Sequence, residues 1–207
     1  MSTTNAVPDQ FSASADLPVT GASGGTAIQP IVPTGTAFAR RSLAVLRIAT
    51  GVIFLWAFLD KLIGLGYSTT TARSWLSGGS PTNGFLGHVV VGPFQSVFRA
   101  WAGAGWADLA FMAGLGAVGL AVILGVGLRV SAIAGGVMML MMWAAEWPLA
   151  RFDSLGEATG SNNPLVDYHI IYALALVVIA ATAAGDTWGL GARWSALPIV
   201  RRVPWLR

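Results

Sequence analysis

Four segments of this 207-residue chain stay apolar over the length that a helix needs to cross a bilayer. They cover residues 43–66, 106–128, 130–148 and 164–184. About 20 helical residues span the hydrocarbon core of a membrane. Charged residues make up only 10% of the chain, against about 25% in soluble domains. The sequence therefore predicts an all-α membrane protein, built as a bundle of four transmembrane helices.

Three regions outside these segments have a different composition. Residues 1–39 are rich in Ser, Thr, Gly and Pro and hold Asp9 and Asp16 as their only charges, which predicts a disordered tail. Residues 67–105 contain short apolar pieces broken by Gly and Pro. These pieces predict short helices lying at the membrane interface. Residues 191–207 form a basic C-terminal segment.

Basic residues predict the orientation, because cytoplasmic loops carry an excess of Lys and Arg. With four spans, one side has more of them, so both termini are predicted to be cytoplasmic and the loop 67–105 extracytoplasmic. An inverted topology and a missed span are the alternatives. The expected location is the cell membrane of a bacterium or archaeon. The richer side holds Arg40, Arg41, Arg129, Arg193, Arg201, Arg202 and Arg207, and the other holds Lys61, Arg73, Arg99 and Arg151.

Ionisable residues near the helix ends collect on the predicted extracytoplasmic side. A charged group within a span is costly in lipid, so it indicates a functional site by default. Arg47 lies apart, in the inner half of the first helix, and is expected to contact headgroups or carbonyl groups. The extracytoplasmic group contains Asp60, Lys61, Asp108, Glu146, Asp167 and His169.

His169 is the most informative member of this group, because histidine exchanges protons near neutral pH. In a fourth helix that begins at Pro164, it would lie about 8 Å inside the span. Asp167 is two residues away and would face nearly the opposite side of an ideal helix. The two side chains would then share a small substrate only if the first turn were distorted. Alternatively, Asp167 favours the N-terminus of the helix electrostatically.

Two residue types limit the chemistry. The chain has no cysteine, which excludes disulfide exchange, thiolate metal sites and cysteine nucleophiles. His88 and His169 are its only histidines, too few for paired haem ligation from facing helices. No haem, flavin or metal site is evident, and a net charge of +3 indicates no nucleic-acid surface. Redox chemistry would therefore use the substrates themselves or the cofactor of a partner.

Two parts of the sequence resemble a family of membrane proteins. RIATGVIFLWAFLDKLIGLG, in the first helix, resembles the first span of DoxX-type proteins. NPLVDYHIIYALALVVIAATAAGDTWGLGARW is closer to the DoxD branch, the membrane subunit of thiosulfate:quinone oxidoreductase, and the GFLGH piece of the loop looks like the same branch. The resemblance covers about residues 40–195. It implies a four-helix bundle that oxidises thiosulfate to tetrathionate and reduces quinone, typically beside a small DoxA subunit.

This resemblance and the polar residues together predict a site. His169 is expected to protonate quinone, with Asp167 or Glu146 as a proton relay. Positive charge is expected to hold thiosulfate, a dianion. Apolar quinone would arrive from the lipid and meet an aromatic-lined cleft. The predicted substrate-binding residues are Lys61, Asp60, Arg73, Arg99, Arg151 and Asn163. The predicted quinone-lining residues are Trp56, Trp143, Trp147, Tyr168 and Tyr172.

Two other functions fit the sequence. The first is a non-catalytic accessory subunit of a respiratory or oxidant-defence complex, which explains the lack of cofactor ligands. The second is a small proton-coupled transporter, although the predicted cytoplasmic halves of the helices are nearly devoid of polar groups apart from Arg47. Oligomers are possible in each case.

Overall fold

The computed structural model describes residues 35–207. Most of the predicted tail, residues 1–34, lies outside the described residues. Across residues 35–207 the regular structure is helical and no strand is present, so the all-α prediction is confirmed. The α-helices are α1 Ala37–Ile63, α2 Asn83–Leu86, α3 Gln95–Trp101, α4 Gly105–Leu124, α5 Leu128–Glu146, α6 Tyr168–Ala181, α7 Gly191–Ala196 and α8 Pro198–Arg202.

Three helices, α1, α4 and α5, are long and apolar enough to cross a membrane, with 27, 20 and 19 residues. α1 begins at Ala37, ahead of the predicted residue 43, because the hydroxyl of Thr36 accepts a hydrogen bond from the backbone N–H of Ala39. This side-chain cap satisfies one of the free donors at the helix start. The protein is therefore a membrane protein by the length and composition of these helices.

The fourth predicted span contains a shorter helix. α6 has 14 residues, fewer than the predicted segment 164–184. It begins at Tyr168 because the carboxylate of Asp167 accepts hydrogen bonds from the backbone N–H groups of His169 and Ile170. After α6, a 3₁₀ turn follows at Ala184–Asp186. That this segment also crosses the membrane stays a prediction.

The four long helices run antiparallel around one apolar core. α1 packs against α4, and α5 packs against α6. At the α1–α4 crossing, a Cβ atom on Gly119 would lie 2.6 Å from the backbone nitrogen of Leu55, so only glycine permits this approach. Close backbone contact is how helices associate in lipid. The core side chains include Phe54, Leu115, Val118, Val122, Met139, Leu176 and Ile179.

The two ends of the bundle differ, and we name them by their residues. The Lys61 end contains the C-termini of α1 and α5 and the N-termini of α4 and α6. The Arg47 end contains the opposite termini, the turn between α4 and α5, and the C-terminal helices. At the Arg47 end, the guanidinium of Arg207 pairs with Asp186 at 3.1 Å, which holds the C-terminal segment against the bundle.

The long connection between α1 and α4 lies at the Lys61 end. It contains the 3₁₀ turns Thr71–Arg73 and Trp75–Ser77 as well as α2 and α3. Their location at a membrane interface stays a prediction. Asp108, in the first turn of α4, anchors this connection. Its Oδ1 accepts hydrogen bonds from the backbone N–H of Thr82 at 2.8 Å and from the Thr82 hydroxyl at 2.6 Å.

Candidate functional site

A cavity of about 130 Å³ lies between α1, α4, α5 and α6 near the Lys61 end. We call it the central cavity. Most of its wall is apolar, and four of the lining residues have polar side chains. Because lipid-soluble molecules prefer an apolar pocket with a few fixed polar groups, this is the leading candidate for a functional site. The polar lining residues are Lys61, Tyr168, His169 and Tyr172, and the apolar ones are Ile53, Phe54, Ala57, Phe111, Leu115, Met139 and Met142.

His169 is the polar residue most fully enclosed by this wall, with 1% of its surface exposed. Its Nδ1 lies 2.8 Å from Oδ2 of Asp167. Its Nε2 is buried and has no hydrogen-bond partner among the described residues. A carboxylate on one ring nitrogen fixes the orientation and the proton of the imidazole. The other nitrogen is thereby left to exchange a proton with a bound molecule.

The contact between Asp167 and His169 corrects the expectation from the sequence. That expectation placed the start of the helix at Pro164, so the two side chains would have faced opposite sides. In the structure α6 begins at Tyr168, and Asp167 is its N-cap residue with extended backbone. Its carboxylate therefore folds back over the first turn and reaches the ring of His169. His169 lies at the second position of the helix, not a turn and a half inside it.

Glu146, the last residue of α5, joins this pair from the facing helix. The hydroxyl of Tyr168 donates a hydrogen bond to Oε1 of Glu146 at 2.9 Å. Oε2 of Glu146 lies 3.9 Å from Nδ1 of His169. Glu146 also lines a separate cleft, which we call the loop cleft, with His88 and Ser161 among its other residues. The carboxylate thus borders both the His169 side of the bundle and a cleft between loops.

Lys61 supplies the positive charge of the central cavity. It lies in the last turn of α1 and is half-buried. Its ammonium group has no hydrogen-bond or ion-pair partner within residues 35–207. An amine that no acceptor of the protein occupies is free to bind an anionic group of a ligand.

The carboxylate of Asp60, the neighbour of Lys61, is instead fully used in hydrogen bonds within the protein. Asp60 is buried, and its carboxylate accepts hydrogen bonds from the backbone N–H groups of Tyr67 and Ser68 and from the Ser68 hydroxyl. These bonds close the turn that follows α1. Asp60 does not line the central cavity. Its predicted part in substrate binding is therefore not supported by the geometry.

Four other predicted substrate-binding residues lie away from the central cavity. Arg73 and Arg151 are exposed on loops, and Arg151 lies over the ring of Phe152. Arg99 is exposed and donates through Nε to the carbonyl of Val89 at 2.8 Å. Asn163 is exposed, and its Oδ1 accepts from two backbone N–H groups in the segment before α6. Of the predicted cations, only Lys61 reaches the cavity, because the loops carry the arginines elsewhere.

Some of the predicted quinone-lining residues line the central cavity and others do not. Tyr168 and Tyr172 line the central cavity. Trp56 lies outside it, with its ring against that of Tyr67 at a centroid distance of 5.2 Å. Trp143 and Trp147 pack against each other, 5.9 Å apart, and neither lines the cavity. The sequence did not identify the apolar wall residues, such as Phe111 and Met142, because apolar residues in apolar helices carry no distinguishing signal.

Glu146, Asp167 and His169 also form a group that suits a metal ion. One ligand atom from each lies within 4.8 Å of the others. Two carboxylate oxygens and an imidazole nitrogen are ligands for divalent first-row cations. The sequence predicts these three residues as a proton-transfer group and not as metal ligands, because Asp167 reaches His169 only through its N-cap conformation. A metal ion bound by these residues would compete with the hydrogen bond between Asp167 and His169.

Arg47 is the second cation of α1, and its surroundings differ from those of Lys61. It is fully buried, and its guanidinium donates to four carbonyl oxygens. Two belong to Val122 and Ile123 in the last turn of α4, and two belong to Thr187 and Trp188. Carbonyls at a helix C-terminus lack partners within the helix, and a cation there is favourable. The predicted carbonyl contact is therefore confirmed, and Arg47 has a structural role.

Comparison with models of known protein families, with curated proteins and with solved structures gives no match for this chain. The resemblance to DoxX-type proteins therefore stays a prediction from the sequence.

Proposed function

We propose that this protein is a quinone-reactive membrane oxidoreductase subunit, with thiosulfate as its electron donor. The observation that carries the proposal is the environment of His169. Its Nε2 is buried and unpartnered among the described residues, at the wall of an apolar cavity, while Asp167 holds its Nδ1. A proton-exchanging group in such a place suits a substrate that arrives from the lipid and takes up protons when it is reduced.

The proposed reaction balances without a resident cofactor. Two thiosulfate anions lose one electron each and join through a new S–S bond to give tetrathionate. Quinone accepts the two electrons and two protons and becomes quinol. The imidazolium of His169 donates one proton from Nε2 to a quinone oxygen, and the carboxylate of Asp167 stabilises the cation before the transfer. Lys61 provides the positive charge that draws the anionic donor to the cavity.

Glu146 connects His169 to a source of protons. It lies 3.9 Å from Nδ1 of His169 and also lines the loop cleft. After each transfer, a proton taken up from this cleft returns the imidazole to its charged form. The cleft contains polar groups from the loops, as water access requires, whereas the wall of the central cavity is mostly apolar. This division supports one route for protons and another for quinone.

We also propose that α6 and the turn after it form a fourth span, so that both termini lie on the cytoplasmic side. α1 covers the distance between the two ends of the bundle from Arg47 to Lys61. α6 and the turn Ala184–Asp186 cover the same distance, because His169 lines the central cavity and Gly185 packs against the backbone of Gly125. The loop cleft and the central cavity would then open on the extracytoplasmic side.

The test is thiosulfate-dependent quinone reduction by the full-length protein in lipid nanodiscs, alone and with any co-purifying subunit. We expect turnover in the wild type and a loss of about 10²- to 10⁴-fold in His169→Gln, the usual contribution of a positioned acid or base. Glutamine keeps much of the volume of the buried ring. Tyr67→Gln is the control, because Tyr67 is 79% exposed and lines neither the central cavity nor the loop cleft.

Full turnover in folded His169→Gln would contradict the proposed role of this residue. The absence of turnover in the wild type, both alone and with its partner, would contradict the proposed activity. Equal losses in His169→Gln and Tyr67→Gln would also contradict it, since that result would show an effect on the fold and not on the cavity.

A second candidate function is that of an accessory subunit in a respiratory or oxidant-defence complex. The favouring observation is that Arg73, Arg99 and Arg151 are exposed and do not line the central cavity. Exposed cations beside exposed apolar side chains such as Leu155 suit a surface that binds another protein. If this candidate is right, we expect the protein to co-purify stably with a partner, and we expect the His169→Gln variant to retain that partner.

A further inference from the structure

A second cavity, of about 160 Å³, adjoins the central cavity. We call it the side cavity. It lies between α4, α5 and the short helices α2 and α3, at the Lys61 end of the bundle. Phe111 of α4 and Met142 of α5 line both cavities, so these two side chains form a common wall. The side cavity is therefore the direct extension of the proposed site.

The side cavity has no charged residue in its wall. Its polar member is Thr82, whose hydroxyl is already bonded to Asp108 at 2.6 Å. Aromatic rings and flexible methionines form most of the surface. Methionine adapts to irregular apolar shapes, and aromatic rings give flat faces for apolar contact. Much of the wall is formed by Phe85, Phe98, Trp101, Trp106, Met138 and Met141.

The side cavity also reaches the outside of the bundle. Trp106 is 59% exposed and Met141 is 41% exposed. These side chains belong to α4 and α5, two helices that are apolar and long enough to cross a membrane. Their exposed surfaces therefore face lipid. The side cavity therefore has lining residues exposed at the surface of the bundle, at Trp106 and Met141, and others at the central cavity, at Phe111 and Met142.

We propose that the side cavity binds the isoprenoid tail of the quinone whose head group occupies the central cavity. The identity of the head group rests on the proposed function. The common wall carries the inference: a head group beside Lys61 and His169 places its substituent at Phe111 and Met142. A tail that continues past these residues fills the side cavity and leaves the bundle between Trp106 and Met141. Binding energy from the tail then positions the head group at His169.

Ala110 gives a sharp test, because it lines the side cavity and is exposed. Ala110→Phe adds a ring to the cavity without replacing a core residue. Leu109→Phe is the matched control, since Leu109 is its neighbour on α4, is 59% exposed and does not line the cavity. The proteins are assayed in nanodiscs with two quinones that share a head group, one with a long isoprenoid tail and one without a tail.

We expect the tailed quinone to have a KM at least 10-fold lower than the tailless one in the wild type and in Leu109→Phe. Ala110→Phe removes most of this difference and leaves the tailless KM unchanged. Equal KM values for the two quinones in the wild type would overturn the proposal. An Ala110→Phe protein that keeps the full advantage of the tail would also overturn it.

A binding measurement separates this proposal from the proposed function. A quinone with a photoreactive group on its tail is cross-linked to the protein in nanodiscs, and the labelled peptides are identified by mass spectrometry. Labelling at Trp106 and Met141, with no thiosulfate turnover, would support the tail site and contradict the proposed activity. Thiosulfate turnover without labelling at Trp106 and Met141 would support the proposed activity and contradict the tail site. Equal labelling by a phospholipid with the same photoreactive group would overturn the assignment to a quinone tail.

Discussion

Arg47 and Lys61 are both cations on α1, yet the protein surrounds them differently. The guanidinium of Arg47 is fully buried, and its terminal nitrogens meet four backbone carbonyls. Lys61 is half-buried and lines an apolar cavity, and its ammonium group meets no acceptor within residues 35–207. Even partial burial of a charge without a partner is unfavourable, so packing alone does not explain a lysine at this position. Arg47 therefore has a structural role, whereas the charge of Lys61 is available to bind a ligand.

The same contrast divides the acidic residues. Asp60 uses its carboxylate to close the turn at Tyr67 and Ser68. Asp167 caps α6 and also orients the ring of His169, so it combines both roles. Glu146 has one oxygen bonded to Tyr168 and borders the loop cleft. Substitutions at these positions are therefore expected to affect folding and turnover in different proportions.

The largest effect on stability is expected for Arg47→Met. The substitution removes the side-chain donor of the Ile123, Thr187 and Trp188 carbonyl oxygens, whereas that of Val122 still accepts from the backbone N–H of Gly125. We expect a loss of about 3–5 kcal/mol in the free energy of unfolding, since each orphaned buried group costs about 1–3 kcal/mol and neighbours relax in part. Titration with sodium dodecyl sulfate in mixed micelles measures this loss.

Arg129→Met is the control for this substitution. Arg129 is half-buried, and its guanidinium donates a single hydrogen bond, to the carbonyl of Pro204 at 3.2 Å. We expect a change of less than about 0.5 kcal/mol, as for surface positions in general. Similar losses for the two variants would show that Arg47 is not the anchor of its end of the bundle.

Lys61→Met tests the other half of the comparison. We expect the free energy of unfolding to stay the same or to rise, because the variant removes a charge without a partner. We expect the KM for thiosulfate to rise by about 10- to 100-fold, since a hydrogen bond between charged groups contributes about 1.5–3 kcal/mol. Steady-state kinetics at saturating quinone measure the KM.

Arg73→Met serves as the matched control, because Arg73 is an exposed cation away from the cavity. Its KM for thiosulfate is expected to stay close to that of the wild type. An equal rise in KM for both variants would mean that a general surface potential attracts the anion. A clear loss of stability in Lys61→Met would mean that Lys61 has a structural role like that of Arg47.

The membrane helices could be predicted from the sequence, whereas the site could be predicted only in part. α1, α4 and α5 follow directly from long apolar runs. The start of α6 was placed too early because Pro164 and Leu165 look apolar. Asp167 was the available signal, since an aspartate just before an apolar run is a typical N-cap. Placing the helix start at Tyr168 would have brought Asp167 and His169 together.

The remaining differences arise from the loops. Arg73, Arg99 and Arg151 share one side of the membrane in the predicted topology, which is the basis for predicting an anion site there. Arg99 lies in the short helix α3 and the other two lie in the connections, and the sequence does not fix how these short elements are oriented, so a shared side does not imply a shared site. Lys61 and His169 lie on helices, where the position along the axis limits where a side chain can reach.

Asp60→Asn is expected to have a moderate effect that is confined to stability. Asparagine keeps the size of the side chain but turns one acceptor into a donor facing the N–H groups of Tyr67 and Ser68. We expect a loss of about 1–2 kcal/mol in the free energy of unfolding. The KM for thiosulfate is expected to stay within about twofold of the wild type, since such a factor corresponds to less than 0.5 kcal/mol. A large rise in KM would show that Asp60 takes part in substrate binding beside Lys61.

The smallest effect is expected for Tyr168→Phe. The variant removes the hydrogen bond from the Tyr168 hydroxyl to Oε1 of Glu146 and keeps the ring at the wall of the central cavity. A single hydrogen bond at an exposed position contributes about 0.5–1 kcal/mol, so we expect a decrease in kcat of about two- to fivefold with KM unchanged. Tyr172→Phe is the control, because Tyr172 lines the same cavity without a hydrogen bond to Glu146. A decrease as large as that of His169→Gln would mean that Tyr168 transfers the proton itself. The carboxylate of Glu146 would then serve the tyrosine, and His169 would be the buried structural partner of Asp167.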